Sequence, residues 1–146
     1  MNKIIIYTNS ENKLCIVMPA PNCGLSMEEI AQKDIPAGIQ YTIIDADALP
    51  KDIIFRDAWE EDKNTNSVVV NIDIAKDITH TIRRKIRAKE FEPYDKIIAL
   101  QIPGNDAAEA EAKRAEIRVK FEAIQQSIDS ASIVADLKQV VDQLTL

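Results

Sequence analysis

Asp73-Ile74-Ala75-Lys76-Asp77-Ile78-Thr79-His80-Thr81-Ile82-Arg83-Arg84-Lys85-Ile86 sets an isoleucine at every fourth position across residues 73–86. Four residues are slightly more than one helical turn, so Ile74, Ile78, Ile82 and Ile86 draw a narrow apolar stripe down one face. A strand would bury alternate residues, and nothing here alternates. The stretch therefore reads as an amphipathic helix that continues from Val68-Val69-Val70 and that Asp73 can cap. Downstream, Pro93 restarts the chain, and Tyr94, Ile97, Ile98 and Leu100 predict a second short helix. Pro103-Gly104-Asn105 is a turn. Asp106 with Glu109 opens a long helix whose inner face is Ile117, Phe121, Ile124 and Ile128. A last helix follows Asp129-Ser130, with Ile133, Leu137, Val140 and Leu144 facing inward. Four such helices call for an antiparallel bundle, or for a hairpin that docks on a partner.

Upstream the pattern changes. Ile4-Ile5-Ile6-Tyr7 is short and β-branched, and Leu14-Cys15-Ile16-Val17-Met18 returns after the turn residues Asn9-Ser10-Glu11-Asn12, which predicts a hairpin. Pro19 and Pro21 end it, because proline cannot donate to a ladder. Ser26-Met27-Glu28-Glu29 is a capping box and starts a short helix to about Lys33. Tyr41-Thr42-Ile43-Ile44 is the next strand, and Ile53-Ile54-Phe55 is a further short one before Ala58-Trp59. The polar run from Glu60 to Asn66 reads as a linker. The expected fold class is α+β: a small antiparallel β-rich domain with one short helix (residues 1–60), a linker (61–67) and an antiparallel helical region (68–146).

Composition bounds the function. A chain of 146 residues, 46% hydrophobic and 29% charged, is globular and long enough to bury a core without metal or disulfide. Its net charge is −6, with six basic and eleven acidic residues before Ser67, and twelve and thirteen from there on. That balance argues against nucleic acid or an anionic membrane as partner. No membrane span is present, and Met1-Asn2-Lys3 leads into only four apolar residues, unlike a signal peptide. Cys15 and Cys23 read as reduced thiols of a cytoplasmic protein.

Candidates for chemistry are few. The three glycines, Gly24, Gly38 and Gly104, do not cluster, which excludes a phosphate-cradling loop. His80 is the only histidine. Asp77 could orient it as a base, but no nucleophile is spaced to use it, and one histidine without a cysteine cluster does not make a zinc site. Asp45-x-Asp47 lacks the glycine and the further oxygens of a calcium loop and reads as turn chemistry. Arg83-Arg84-Lys85-x-Arg87-x-Lys89 is the densest basic run, expected on a solvated helix face or in salt bridges. No catalytic residue, cofactor or metal ligand is expected.

Several blocks, in order, resemble a family of bacteriophage and prophage tail-region proteins. They are Lys3-Ile4-Ile5-Ile6-Tyr7-Thr8, Val17-Met18-Pro19-Ala20-Pro21, Ser26 through Gly38, Tyr41-Thr42-Ile43-Ile44-Asp45, and Leu49-Pro50 through Glu60. Ile72 to Lys76, His80, Arg83, Ile86-Arg87, Phe91-x-Pro93-x-Asp95, Lys113-Arg114, Ile117-Arg118 and Ile128-Asp129 continue the likeness over nearly the whole chain. Tyr94-Asp95-Lys96-Ile97-Ile98 departs from the Leu-Asp-rich second helix usual there. The resemblance implies a phage tail or tail-fibre assembly factor that docks on a structural protein, and the lack of a catalytic constellation makes the expectation non-enzymatic. It would reside in the host cytoplasm, or in the virion if it is a minor structural part that oligomerises through its C-terminal helices. An inhibitor of a host protein is the third alternative. The apolar positions expected to meet the partner are Ile74, Ile78, Ile82, Ile117, Phe121 and Ile124, which serve equally as the helical region's own core.

Overall fold

The computed structural model describes residues 2–101, 103–104 and 106–146. The chain is α+β, with an antiparallel β-rich N-terminal part followed by a helical C-terminal part. It divides into two compact units, Met1–Asn71 and Ile72–Leu146.

In the first unit, β1 (Lys3–Thr8) is the centre of a three-stranded antiparallel sheet. It is flanked by β2 (Leu14–Val17) and β3 (Tyr41–Asp45). Ile6 stands opposite Ile16 on one side and Thr42 on the other. Ile4, Ile5 and Ile6 are all buried because both faces of β1 are covered, so its residues run apolar without alternation. Ile5 packs with Ile30, Ala31 and Ile35, which belong to or follow helix α1 (Met27–Asp34). Ile4 and Ile6 pack on the opposite face with Ile44, Trp59 and Val68.

Local chemistry sets these elements. Asn9 Oδ1 accepts from the amides of Glu11 (3.0 Å) and Lys13 (2.9 Å), and Asn12 takes a positive φ of 62°, which closes the β1–β2 turn. At α1, the Glu29 amide donates to Ser26 Oγ (3.2 Å) and the Ser26 amide donates to Glu29 Oε2 (2.7 Å), the reciprocal capping box expected there.

Two expectations in this unit are corrected. Residues 61–67 are not a linker but the middle of a hairpin, β4 (Trp59–Asp62) paired with β5 (Ser67–Val70). Trp59, Glu61, Val68 and Val70 share its inner face, so the polar residues that read as a spacer are largely the outer face and the turn. Val68-Val69-Val70 accordingly belongs to this hairpin and to the first unit, not to the helical region. Ile53–Phe55 is not a strand but part of a 3-10 segment, Ile53–Ala58. The segment kinks at Phe55 (φ −98°, ψ 18°); Phe55 and Ala58 are buried while Ile53 is exposed.

The second unit holds α2 (Ile72–Leu100), α3 (Ala107–Asp129) and α4 (Val134–Leu144). Side-chain pairs descend the α2–α3 seam with opposite numbering: His80 with Asp129, Arg83 with Gln125, Glu90 with Lys120, Asp95 with Arg114. The two helices are therefore antiparallel. Asp106 Oδ1 accepts the Ala108 amide (2.8 Å) and caps α3. Gly104 has φ +85° in the connecting turn; Asn105, also expected in that turn, lies outside the described residues. The connection to α4 is four residues long. At ~1.5 Å per residue, α4 reaches at most about half of the hairpin's length, so the part around Phe91 and Ile117 is a two-helix arm.

Here too the outcome differs from expectation. Pro93 does not restart the chain; α2 runs through it, and four expected helices are three among the described residues. Asp73 lies in the first turn of α2 instead of capping it from outside. Ile133 precedes α4 and is exposed, while Leu137, Val140 and Val141 supply the buried face.

Candidate functional site

The sharpest polar constellation lies where α2 passes the C-terminal end of α3. Lys76 Nζ donates to the main-chain carbonyl of Asp129 (3.0 Å), and His80 Nε2 lies 2.8 Å from Asp129 Oδ1. One turn on, Arg83 Nη1 donates to Gln125 Oε1 (3.2 Å). Three cationic or protonatable groups thus meet the carbonyl end of a 23-residue helix, where its dipole favours positive charge. Arg83 is only 8% exposed, and its Nε has no hydrogen-bond partner among the described residues. Burial lowers its pKa from the ordinary value, with Arg84 and Arg87 adding and Asp129 opposing. The His80 side chain is 12% exposed, and its buried Nδ1 has no hydrogen-bond partner among the described residues. This arrangement is an interhelical clamp. The histidine is bonded to Asp129, not to Asp77.

The sequence places the whole basic run on a solvated helix face or in salt bridges, and the structure corrects this for Arg83, which is buried with its Nη1 on Gln125. Arg84, Lys85 and Lys89 are exposed, but Arg83 points between helices, and Arg87 stacks over Phe91 (4.8 Å) with Arg114 also near that ring (5.6 Å). The signal was present: Ala75, Thr79 and Arg83 recur every four residues one position after the isoleucine stripe. Ala75 and Thr79 are fully buried, and small side chains let two helices approach closely.

The six positions assigned to partner contact divide accordingly. Phe121 is 1% exposed and is core. Ile78, Ile82, Ile117 and Ile124 are half-buried flanks of the seams, and Ile74 alone is exposed. They lie on the two facing helices but do not form one open surface.

A second candidate, which the sequence did not reveal, lies within the first unit. An open groove of about 860 Å³ is lined by Ile16, Met18, Leu49, Pro50, Ile53 and Trp59, with Asp47, Lys51 and Arg56 at its charged rim. The Arg56 guanidinium lies 5.0 Å from the Trp59 ring centroid. Met18 and Ile53 are 66% and 74% exposed, large apolar side chains left at the surface. Asp45, the other half of the Asp45-x-Asp47 pair, is held by Lys3 at 2.8 Å.

No protein-family model, curated protein or solved structure matches the chain. Among the described residues, no group of three or more His, Cys, Asp or Glu side chains gathers as a metal site. No helix among them is long and apolar enough to cross a membrane. The Glu61 carboxylate accepts from Thr8 Oγ1 (3.2 Å) and Thr42 Oγ1 (3.0 Å), which ties the β4–β5 hairpin to two strands of the sheet. Tyr7 hydrogen-bonds with Cys15 across the β1–β2 pair, and that bond with partial burial raises its pKa above the ordinary value.

Proposed function

We propose that the chain is a phage tail or tail-fibre assembly factor, non-catalytic, which acts by docking its helical unit on a tail structural protein. What supports this reading is a resemblance to phage tail-region proteins, which rests on ordered blocks from Lys3-Ile4-Ile5-Ile6 to Ile128-Asp129. Support from the fold is the two-helix arm beyond the reach of α4, a shape suited to helix packing against a groove. The polar groups weighed for chemistry are occupied structurally, His80 by Asp129 and Asp45 by Lys3.

Deletion of the gene from the phage that carries it tests this. The expected result is particles with defective tails or fibres, restored by supplying the protein in trans, and no copies of it in purified virions by mass spectrometry. Fully infectious, normally fibred particles from the deletion strain would overturn the reading. Exposed Leu100 and Val119 on the helical unit favour a second reading, a minor virion component oligomerising through these helices. In that case virions contain the protein, and light scattering finds a stable oligomer.

A further inference from the structure

The groove beside Trp59 lies next to an unpaired sheet edge. β2 ends the order β2-β1-β3, so it is hydrogen-bonded to β1 on one side only. Among the described residues, no hydrogen bond from another element reaches its outer backbone edge. An open edge of this kind is a template for another strand. Side chains of a strand alternate between faces, and Ile16, which lines the groove, and Met18, just past the strand end, are two residues apart. A strand added beside β2 in continuation of the sheet would therefore place every second side chain over Met18, Leu49, Ile53 and Trp59. Pro19 limits the ladder to about the length of β2, since it has no amide to donate.

The rim selects among such strands. Lys51 and Arg56 have no carboxylate partner among the described residues, and Arg56 is held at the groove wall by its stacking on Trp59. Asp47 is the single opposing charge on the lining. We infer that the first unit binds a short extended segment of a partner polypeptide by strand addition to β2. Its apolar side chains at alternate positions enter the groove, and an acidic residue meets Lys51 and Arg56. The inference does not rest on the phage-tail reading, because it uses no residue of the helical unit and would stand for a partner from any source.

The groove carries its own reporter, since Trp59 is the only tryptophan. A random heptapeptide library is selected against the immobilised full chain, and enriched peptides are resynthesised and titrated while Trp59 fluorescence is followed. Enrichment of Val, Ile, Leu or Phe at alternate positions together with Asp or Glu is expected. Each peptide is then N-methylated at every second amide, in the two possible registers. Strand addition uses the amides of one register only, so one methylated form should bind at least about tenfold more weakly and the other nearly as well as the parent. Met18→Lys should weaken every selected peptide. Arg56→Glu should lower acidic binders by about tenfold and not their lysine-substituted versions. Both positions are on the surface, and far-UV circular dichroism confirms that the variants are folded. The inference is overturned if no peptide is enriched, if basic peptides dominate, if both or neither methylation register abolishes binding, or if neither substitution has an effect.

Discussion

Arg83 occupies a position that a methionine would fill with fewer unmet demands. Among the described residues its guanidinium makes one hydrogen bond, to Gln125, and its Nε has no partner. A buried charge held this sparsely adds little net stability, whereas the hole left by truncation costs in full. Arg83→Met should therefore leave the urea midpoint unchanged or raise it, while Arg83→Ala should lower stability by about 2–3 kcal/mol. A methionine variant that unfolds as readily as the alanine variant would show that the charge itself holds the hairpin. Asp62 is different, because it stabilises only as an anion. Its carboxylate accepts from the Thr65 hydroxyl (2.8 Å) and the Asn64 amide (2.9 Å), and these bonds lower its pKa below the ordinary value. A depressed carboxylate stabilises the fold above the unfolded-state pKa of about 3.9 and loses that contribution as pH falls through the folded value. The Asp62 resonance should titrate below free aspartate, and Asp62→Asn should flatten the acid side of the stability profile. A titration at the free value would mean that the turn is not closed as described.

Pro93 shows how an element can override its own sequence signal. Proline removes the hydrogen bond to the Lys89 carbonyl and crowds it, a penalty of about 3 kcal/mol in a helix interior. The helix nevertheless continues, because contacts on both sides of the break are made with α3: Glu90 with Lys120 (2.8 Å), Asp95 with Arg114 (2.9 Å), and Phe91 buried beneath Arg87 and Arg114. Pro93→Ala should therefore raise stability by about 1–3 kcal/mol, the recovered helix term less the greater freedom of the unfolded chain. A destabilised variant would mean that the proline itself is needed for the arm's packing. This override also marks where the sequence was legible. Signals confined to a few neighbouring residues carried over: the Ser26–Glu29 box, the Asn9 turn, the Asp106 cap and the 4-3-4 spacing around Phe121. Signals that depend on a distant partner did not. Glu60–Asn66 reads as a spacer because Val68 and Val69, which pair with Glu61 and Glu60, read as the lead into the helix. The exposed groove went unseen because β2, the 46–53 turn and Trp59 meet only through the sheet.

At the scale of the molecule, each of the two units has its own means of holding together. The first carries its core on both faces of a three-stranded sheet, and Glu61 links the covering hairpin to Thr8 and Thr42. The second buries Ala75, Phe121, Ile128 and Leu137 among three helices joined by short turns. Units of about 70–75 residues sit near the lower size at which one hydrophobic core suffices, so each should fold alone but with modest stability. Fragments 1–71 and 72–146, expressed separately, should each unfold cooperatively, and their summed far-UV spectra should reproduce that of the whole chain. The helical fragment should lose its cooperative transition on Phe121→Ala, because at about 3–5 kcal/mol that truncation rivals the whole stability of a unit this small. The same substitution in the full chain should leave the Trp59 fluorescence transition in place, since that reporter belongs to the other unit. Loss of both transitions together would show that the chain folds as one cooperative body instead of two.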